Sequence, residues 1–178
     1  MTDAARLYTP AEAGAVSGLK LKAVHNAIDK HIVVPVAKGK TAVAGDAKRK
    51  GPRLLTREDL LRLRVWRGVG DTLSADRRQR LFVAIAAEPK ATTVKADELL
   101  IVDVGEARRQ VERGVRDLQA AEAIVVKDKR TLGGEPVLKG TRIPVYGIAA
   151  MVDAGASEEE LLAGYPMLTE RMIELARV

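Results

Sequence analysis

The chain has 178 residues, a formal net charge of +6 and no cysteine, which suits one large or two small domains and excludes disulfides and thiolate metal sites. Hydrophobic residues make up 47% and aromatic residues only 3%, so the cores must be built from Leu, Val, Ile and Ala. No apolar run approaches the roughly 20 residues of a membrane span, and the opening MTDAARLYTP has no apolar signal core; a cytoplasmic protein that spans no membrane is expected, in a reducing compartment.

The positive charge is unevenly placed. Residues 1–70 hold 14 Lys and Arg against 6 Asp and Glu, an excess of eight. Residues 71–121 hold nine of each, and residues 122–178 hold seven against nine. A polyanion would therefore be met by the first third of the chain.

In chain order, Thr9 and Glu12 form a capping-box pattern around Pro10, opening a short helix that Gly18 breaks. A second helix is expected from about Lys20 to Lys30, with Leu21, Val24 and Ile28 facing inward. Lys22, His25, Asn26, Asp29 and Lys30 fall on its other side. Helix, Gly turn and amphipathic helix describe a helix-turn-helix. Ile32-Val33-Val34-Pro35-Val36 reads as a strand, a Gly- and Lys-rich stretch runs from Lys38 to Arg53, and Leu54-Leu55 follows. Two strands around a basic loop make a wing. Thr56 with Asp59 caps a helix lined by Leu60, Leu61, Leu63 and Trp66, ended by Gly68 and Gly70. Residues 5–69 thus read as one winged helix-turn-helix domain.

Residues 70–121 read as a helical bridge with a short strand. Residues 74–88 form a helix with Leu81, Phe82 and Ile85 on one face, Glu98 to Val104 is strand-like, and Glu106 to Ala123 is a charged helix with the stripe Val111, Val115 and Leu118.

The tail, 122–178, has a different texture. Ile124-Val125-Val126 and Pro136-Val137-Leu138 read as short strands, with Gly133-Gly134 and Gly140 as turns. A helix runs from Ile143 to Asp153 and closes at Gly155. Ser157 with Glu160 opens another that stops at Gly164-Tyr165-Pro166, and Thr169 caps the last, Glu170 to Arg177. The fold class is mainly α (α+β): an N-terminal winged helix-turn-helix plus a small C-terminal three-helix domain with a short β-hairpin. A domain of about 55 residues is marginal alone and calls for a partner.

The chemistry of these residues points to DNA rather than catalysis. Lys20, Lys22, His25, Asn26 and Lys30 would face the major groove, where Asn pairs bidentately with adenine and Lys reaches guanine or phosphate. Lys38, Lys40, Lys48, Arg49, Lys50 and Arg53 in the wing suit phosphate or minor-groove contact. Scarce aromatics argue against single-strand or RNA binding by base stacking. His25 and His31 are six apart and do not share a helix face as paired metal ligands do. Ser17, Ser74 and Ser157 fit turns and caps, and Glu158-Glu159-Glu160 suits a helix N-terminus. The Gly positions of the tail match no Walker or Rossmann spacing. No enzyme activity, metal or cofactor is expected.

Residues 8–67 resemble the MerR-like winged helix proteins, through YTPAEAGAVSGLKLKAVHNAIDKHIV, a wing and LLTREDLLRLRVW. The tail is more specific. Gly133-Gly134, Pro136-Val137, Gly140-Thr141-Arg142-Ile143-Pro144-Val145, Gly155, Tyr165-Pro166 and Leu168-Thr169 resemble the small prokaryotic family designated domain of unknown function number 433. Members of that family look like antitoxins of the VapB type, often encoded beside a small PIN-like ribonuclease toxin. The resemblance implies a type II antitoxin that binds double-stranded operator DNA as a homodimer, represses its own operon and neutralises its toxin by direct binding. Dimer or toxin contacts are then expected at Leu138, Thr141, Arg142, Ile143, Val145 and Tyr146. The alternative is a stand-alone dimeric winged-helix transcription regulator without a toxin, and a third reading is an adaptor whose basic face binds an acidic protein.

Overall fold

A computed structural model describes residues 6–37, 53–70 and 72–178. The fold is mainly helical with small two-stranded sheets, an α+β arrangement, and the chain divides into two compact units, Met1–Gly114 and Val115–Val178.

In the first unit, helix α1 (Pro10–Ser17) starts at the expected capping box. The Thr9 amide donates to Glu12 Oε2 at 2.6 Å, and the Glu12 amide to Thr9 Oγ1 at 3.3 Å. Gly18 ends it at φ 73°, a left-handed conformation in which a side chain would be strained. Helix α2 (Leu21–Asp29) follows. Strands β1 (Val36–Ala37) and β2 (Arg53–Leu54) pair antiparallel, Val36 opposite Leu54 and Ala37 opposite Arg53. Helix α3 (Arg57–Val69) begins at the Thr56–Asp59 capping box and buries Leu60, Leu61, Leu63 and Val65; Gly68 lies inside it, and the cap is Gly70.

The expected strand over residues 32–36 is shorter in the structure, for a local reason. His31 adopts φ 55° and its amide donates to the Ile28 carbonyl at 3.0 Å, while the Ile32 amide donates to Ala27 at 2.8 Å. These two bonds close α2 in a Schellman turn. Residues 31 and 32 thus finish the helix, Pro35 has no amide to pair, and the strand starts only at Val36.

Helix α4 (Ala75–Ala87), capped by Ser74, buries Leu81 and Ile85. Strand β3 (Thr93–Asp97) pairs antiparallel with β4 (Leu100–Asp103), and helix α5 (Val104–Ile124) follows. Strand β3 lies outside the expected elements, and β4 is shorter than the expected Glu98 to Val104. Thr93-Val94-Lys95-Ala96-Asp97 alternates with Val94 and Ala96 buried, the period-two signal of a half-buried strand. Glu98-Leu99 is the turn, and Leu99 is 90% exposed. Leu61 and Val65 of α3 share a core with Leu81, Ile85, Val94, Ala96 and Val104. The segment expected as a bridge is therefore packed against α3 through its α4, β3–β4 and the start of α5, because α3 alone cannot cover its apolar side. The unit boundary falls inside α5, after Gly114.

The second unit pairs β5 (Val125–Val126) antiparallel with β6 (Val137–Leu138), and follows with α6 (Val145–Asp153), α7 (Glu158–Gly164) and α8 (Glu170–Ala176). Its core joins Leu138, Ile148, Val152, Leu161, Leu168 and Ile173. Ser157 and Glu160 make the expected capping box, and Thr169 caps α8. The Arg171 guanidinium bridges Asp117 at 2.6 Å and Glu174 at 2.9 Å, tying α8 to the part of α5 in this unit.

Candidate nucleic-acid interface

The cationic helix is positioned by its buried side. Val24, Ala27 and Ile28 are buried, and a Cβ on Gly14 of α1 would lie 2.8 Å from the Leu19 carbonyl oxygen in the turn and 3.6 Å from Val24 Cγ2 of α2. Leu21, expected to face inward, is 50% exposed. The buried arc is centred on Val24 and Ala27, and Leu21 sits at its edge in the first turn.

The opposite side carries Lys22, Asn26 and Lys30, each exposed and each four residues from the next. That spacing sets the three side chains along one strip of the helix surface. Lys20, the residue before the helix, is exposed as well, and His25 is half-buried at the strip's margin. One acid shares this side: Asp29, whose carboxylate accepts from Arg53 Nη1 of β2 at 3.2 Å. Both partners are solvent-accessible, so the pair is worth about 1 kcal/mol or less. Its consequence is chemical: it neutralises the carboxylate and commits Arg53 to an intramolecular partner.

Lys38, Lys40, Lys48, Arg49 and Lys50 lie outside the described residues. The strand pair that would carry their loop is present, and Leu55 continues it by exchanging two backbone hydrogen bonds of 2.8 Å with Tyr8.

Arg64, absent from the residues expected to matter, joins α3 to the end of α1 and to α5. Its Nη1 donates to the Ser17 carbonyl at the end of α1 at 3.3 Å, and its Nε donates to Gln110 of α5. Burial, followed by the nearby Arg67 charge, lowers the pKa of its guanidinium. Its place on α3 between buried Leu63 and Val65 gave no periodic signal that it faced another helix.

The six residues expected to contact a partner separate by burial. Leu138, expected among the partner contacts, is instead fully buried in the core of its own unit, which it shares with Ile148 and Leu161. Ile143 and Val145 are half-buried against the same core. Thr141 makes a turn, its hydroxyl donating to the Leu138 carbonyl at 2.8 Å and accepting from the Ile143 amide at 3.0 Å. Arg142 and Tyr146 are exposed, Tyr146 by 67%. Among the described residues no group of three or more His, Asp or Glu is arranged to hold a metal ion, and no helix is long and apolar enough to cross a membrane.

Residues 125–177 match the family described as protein of unknown function (DUF433). The chain is also 33% identical over 188 residues to the uncharacterized protein y4eO of Sinorhizobium fredii, covering 100% of this chain and 82% of that one. The chain belongs to the y4eO family and carries a DUF433 domain. An X-ray crystal structure of Rv2018 from Mycobacterium tuberculosis is similar over 96% of both chains at 15% identity, with a TM-score of 0.34, too loose a likeness to argue from. The DUF433 domain runs from β5 through α8. Its Gly140-Thr141 pair is turn chemistry: Gly140 takes φ 79°, the left-handed region that favours glycine, and the Thr141 hydroxyl closes the loop on either side.

Proposed function

We propose that the protein is a cytoplasmic, homodimeric antitoxin that represses its own operon through the N-terminal unit and neutralises a small PIN-like toxin through the DUF433 domain. The observation that carries the DNA half is the exposed strip of Lys22 and Asn26 on α2 and Lys30 at its C-cap, in the segment of the chain that holds an excess of eight positive charges. Such a helix, packed on α1 through its buried side, would lie in the major groove with Asn26 offering a donor and an acceptor to one adenine and the lysines reaching guanine or phosphate. Two-fold symmetry asks for half-sites about one DNA turn apart.

The toxin half rests on the resemblance of the tail to VapB-type antitoxins. Neutralisation would be steric, with an apolar segment covering the nuclease cleft. Exposed Tyr146 and Arg142 fit the hot-spot chemistry of such a contact better than the buried Leu138 does.

Two experiments test the proposal. A footprint on the DNA upstream of the coding sequence should show protection of a partly palindromic site, with affinity well above that for random duplex at physiological salt. Equal binding to both would favour an acidic protein as the partner of the basic face. Co-expression with the neighbouring open reading frame should yield a complex and relieve its toxicity. A footprint with no toxic neighbour would leave the stand-alone regulator and remove the antitoxin.

A further inference from the structure

In the N-terminal unit, α3, α4 and α5 leave between them a hollow of about 300 Å³. Its walls are the buried side chains Leu61, Ile85 and Val111. Four charged residues also line it, and three of them are committed. Glu58 accepts from Arg62 at 2.7 Å, and Glu112 faces Arg57 at 3.9 Å.

Arg108 is different. Its Nε and Nη2 are both buried and have no hydrogen-bond partner among the described residues. Burying a charged donor without an acceptor is among the costlier things a fold can do. The two nitrogens are also neighbours: together they form one edge of the guanidinium, two parallel N–H groups spaced for the two oxygens of a carboxylate.

We propose that this hollow binds a small organic monocarboxylate, its carboxylate bidentate on Arg108 and its apolar body against Leu61, Ile85 and Val111. The volume lies at the small end of ligand sites, enough for a molecule the size of benzoate or hexanoate. The charge selects a monoanion. With Arg57 facing Glu112 and Arg62 holding Glu58, one guanidinium is left to balance the ligand, and a phosphate dianion would meet two carboxylates at the rim. No residue of α2 lines the hollow, and carboxylate binding there does not depend on DNA binding.

The test titrates the full chain with benzoate and with hexanoate, followed by amide chemical shifts, against benzamide and inorganic phosphate. Saturable shifts centred on Leu61, Ile85 and Val111 are expected, at roughly millimolar affinity for so small a ligand. Benzamide and the Arg108→Gln variant should each bind at least about tenfold more weakly, because a charge-assisted bidentate contact is lost. Arg108→Lys, which keeps the charge without the fork, should fall between. Equal affinity for benzoate and benzamide would overturn the proposal even if Arg108→Gln fails to fold. So would no saturation by either carboxylate, shifts centred elsewhere, undiminished binding by a folded Arg108→Gln, or phosphate binding as tightly as benzoate.

Discussion

Gly114 of α5 rests directly on Val16 of α1: a Cβ placed on Gly114 would lie 2.8 Å from the Val16 carbonyl oxygen and 3.0 Å from its Cα. The contact is backbone against backbone, so neither side can rotate away. In an open helix interior, Gly→Ala stabilises by about 1 kcal/mol. Here the clash should win, and Gly114→Ala is expected to destabilise the N-terminal unit by about 1–3 kcal/mol.

Gly68 of α3 supplies the opposite sign. A Cβ there meets nothing within 4 Å, and the residue is helical. Gly68→Ala should raise stability by about 0.5–1 kcal/mol through backbone entropy alone. Urea midpoints of the two variants, measured side by side, check both signs; two shifts in the same direction would refute the close approach at Gly114.

These glycines show where the sequence could and could not be read. Helices announced by a cap and a periodic stripe, such as Thr9–Glu12 for α1 or Ser157–Glu160 for α7, were legible because cap and helix lie within a few residues of each other. Features set by distant partners were not. Gly114 looks like a weak point in a charged helix until Val16 is beside it, and Leu138 looks like an edge residue until α6 and α7 cover it. Arg64 and Arg108 were invisible for the same reason: a basic residue on a helix does not reveal whether it meets water, a carbonyl or an empty hollow. The strip on α2 was legible because 3.6-residue periodicity alone fixes which side chains share a face, whereas Leu21 stands at the edge of the apolar arc, where spacing does not decide between core and solvent.

Acid sensitivity should centre on Glu106. Its carboxylate accepts from Arg109 at 2.9 Å, Arg113 at 3.0 Å and Gln110 at 2.9 Å, and these hydrogen bonds hold its pKa below the ordinary glutamate value. A carboxyl whose pKa is lower folded than unfolded adds stability that is fully present above the unfolded value, about 4.3, and is lost as pH falls through the folded one. Glu106→Gln should therefore lower the urea midpoint at neutral pH and shrink the loss seen on acidification below about pH 4.3. Asp97, lowered by the Leu99 amide and by Arg77, acts in the same direction, so some acid sensitivity remains in the variant. An unchanged acid limb in Glu106→Gln would assign that sensitivity elsewhere.

In the DUF433 domain, the Thr141 hydroxyl both donates to Leu138 and accepts from Ile143. Thr141→Val keeps the shape and removes both bonds; the Leu138 carbonyl still accepts from the Thr141 amide at 3.0 Å, but the Ile143 amide loses its partner, and a loss of about 1–3 kcal/mol is expected. Thr141→Ser should restore most of it. Thermal unfolding of the two variants separates this turn role from a contact role, because a residue needed only by a partner would leave the melting temperature of the free chain unchanged.

The α2 strip makes the sharpest claim on DNA. Lys22→Ala removes an exposed charge that makes no intramolecular ion pair among the described residues. It should weaken every duplex alike and flatten the dependence of log affinity on log salt by about one unit. Asn26→Ala should behave otherwise, losing about 1–3 kcal/mol on the preferred site and little on random DNA, with discrimination relaxed at one base pair. Changing Lys48, Arg49 and Lys50 together to Ala should weaken binding without altering sequence preference, since phosphate contacts position and do not specify. Titrations over a salt series on specific and random duplexes distinguish these patterns. If Asn26→Ala lost affinity equally on both, the strip would be a phosphate clamp rather than a reading head, and base selection would have to come from another part of the N-terminal unit.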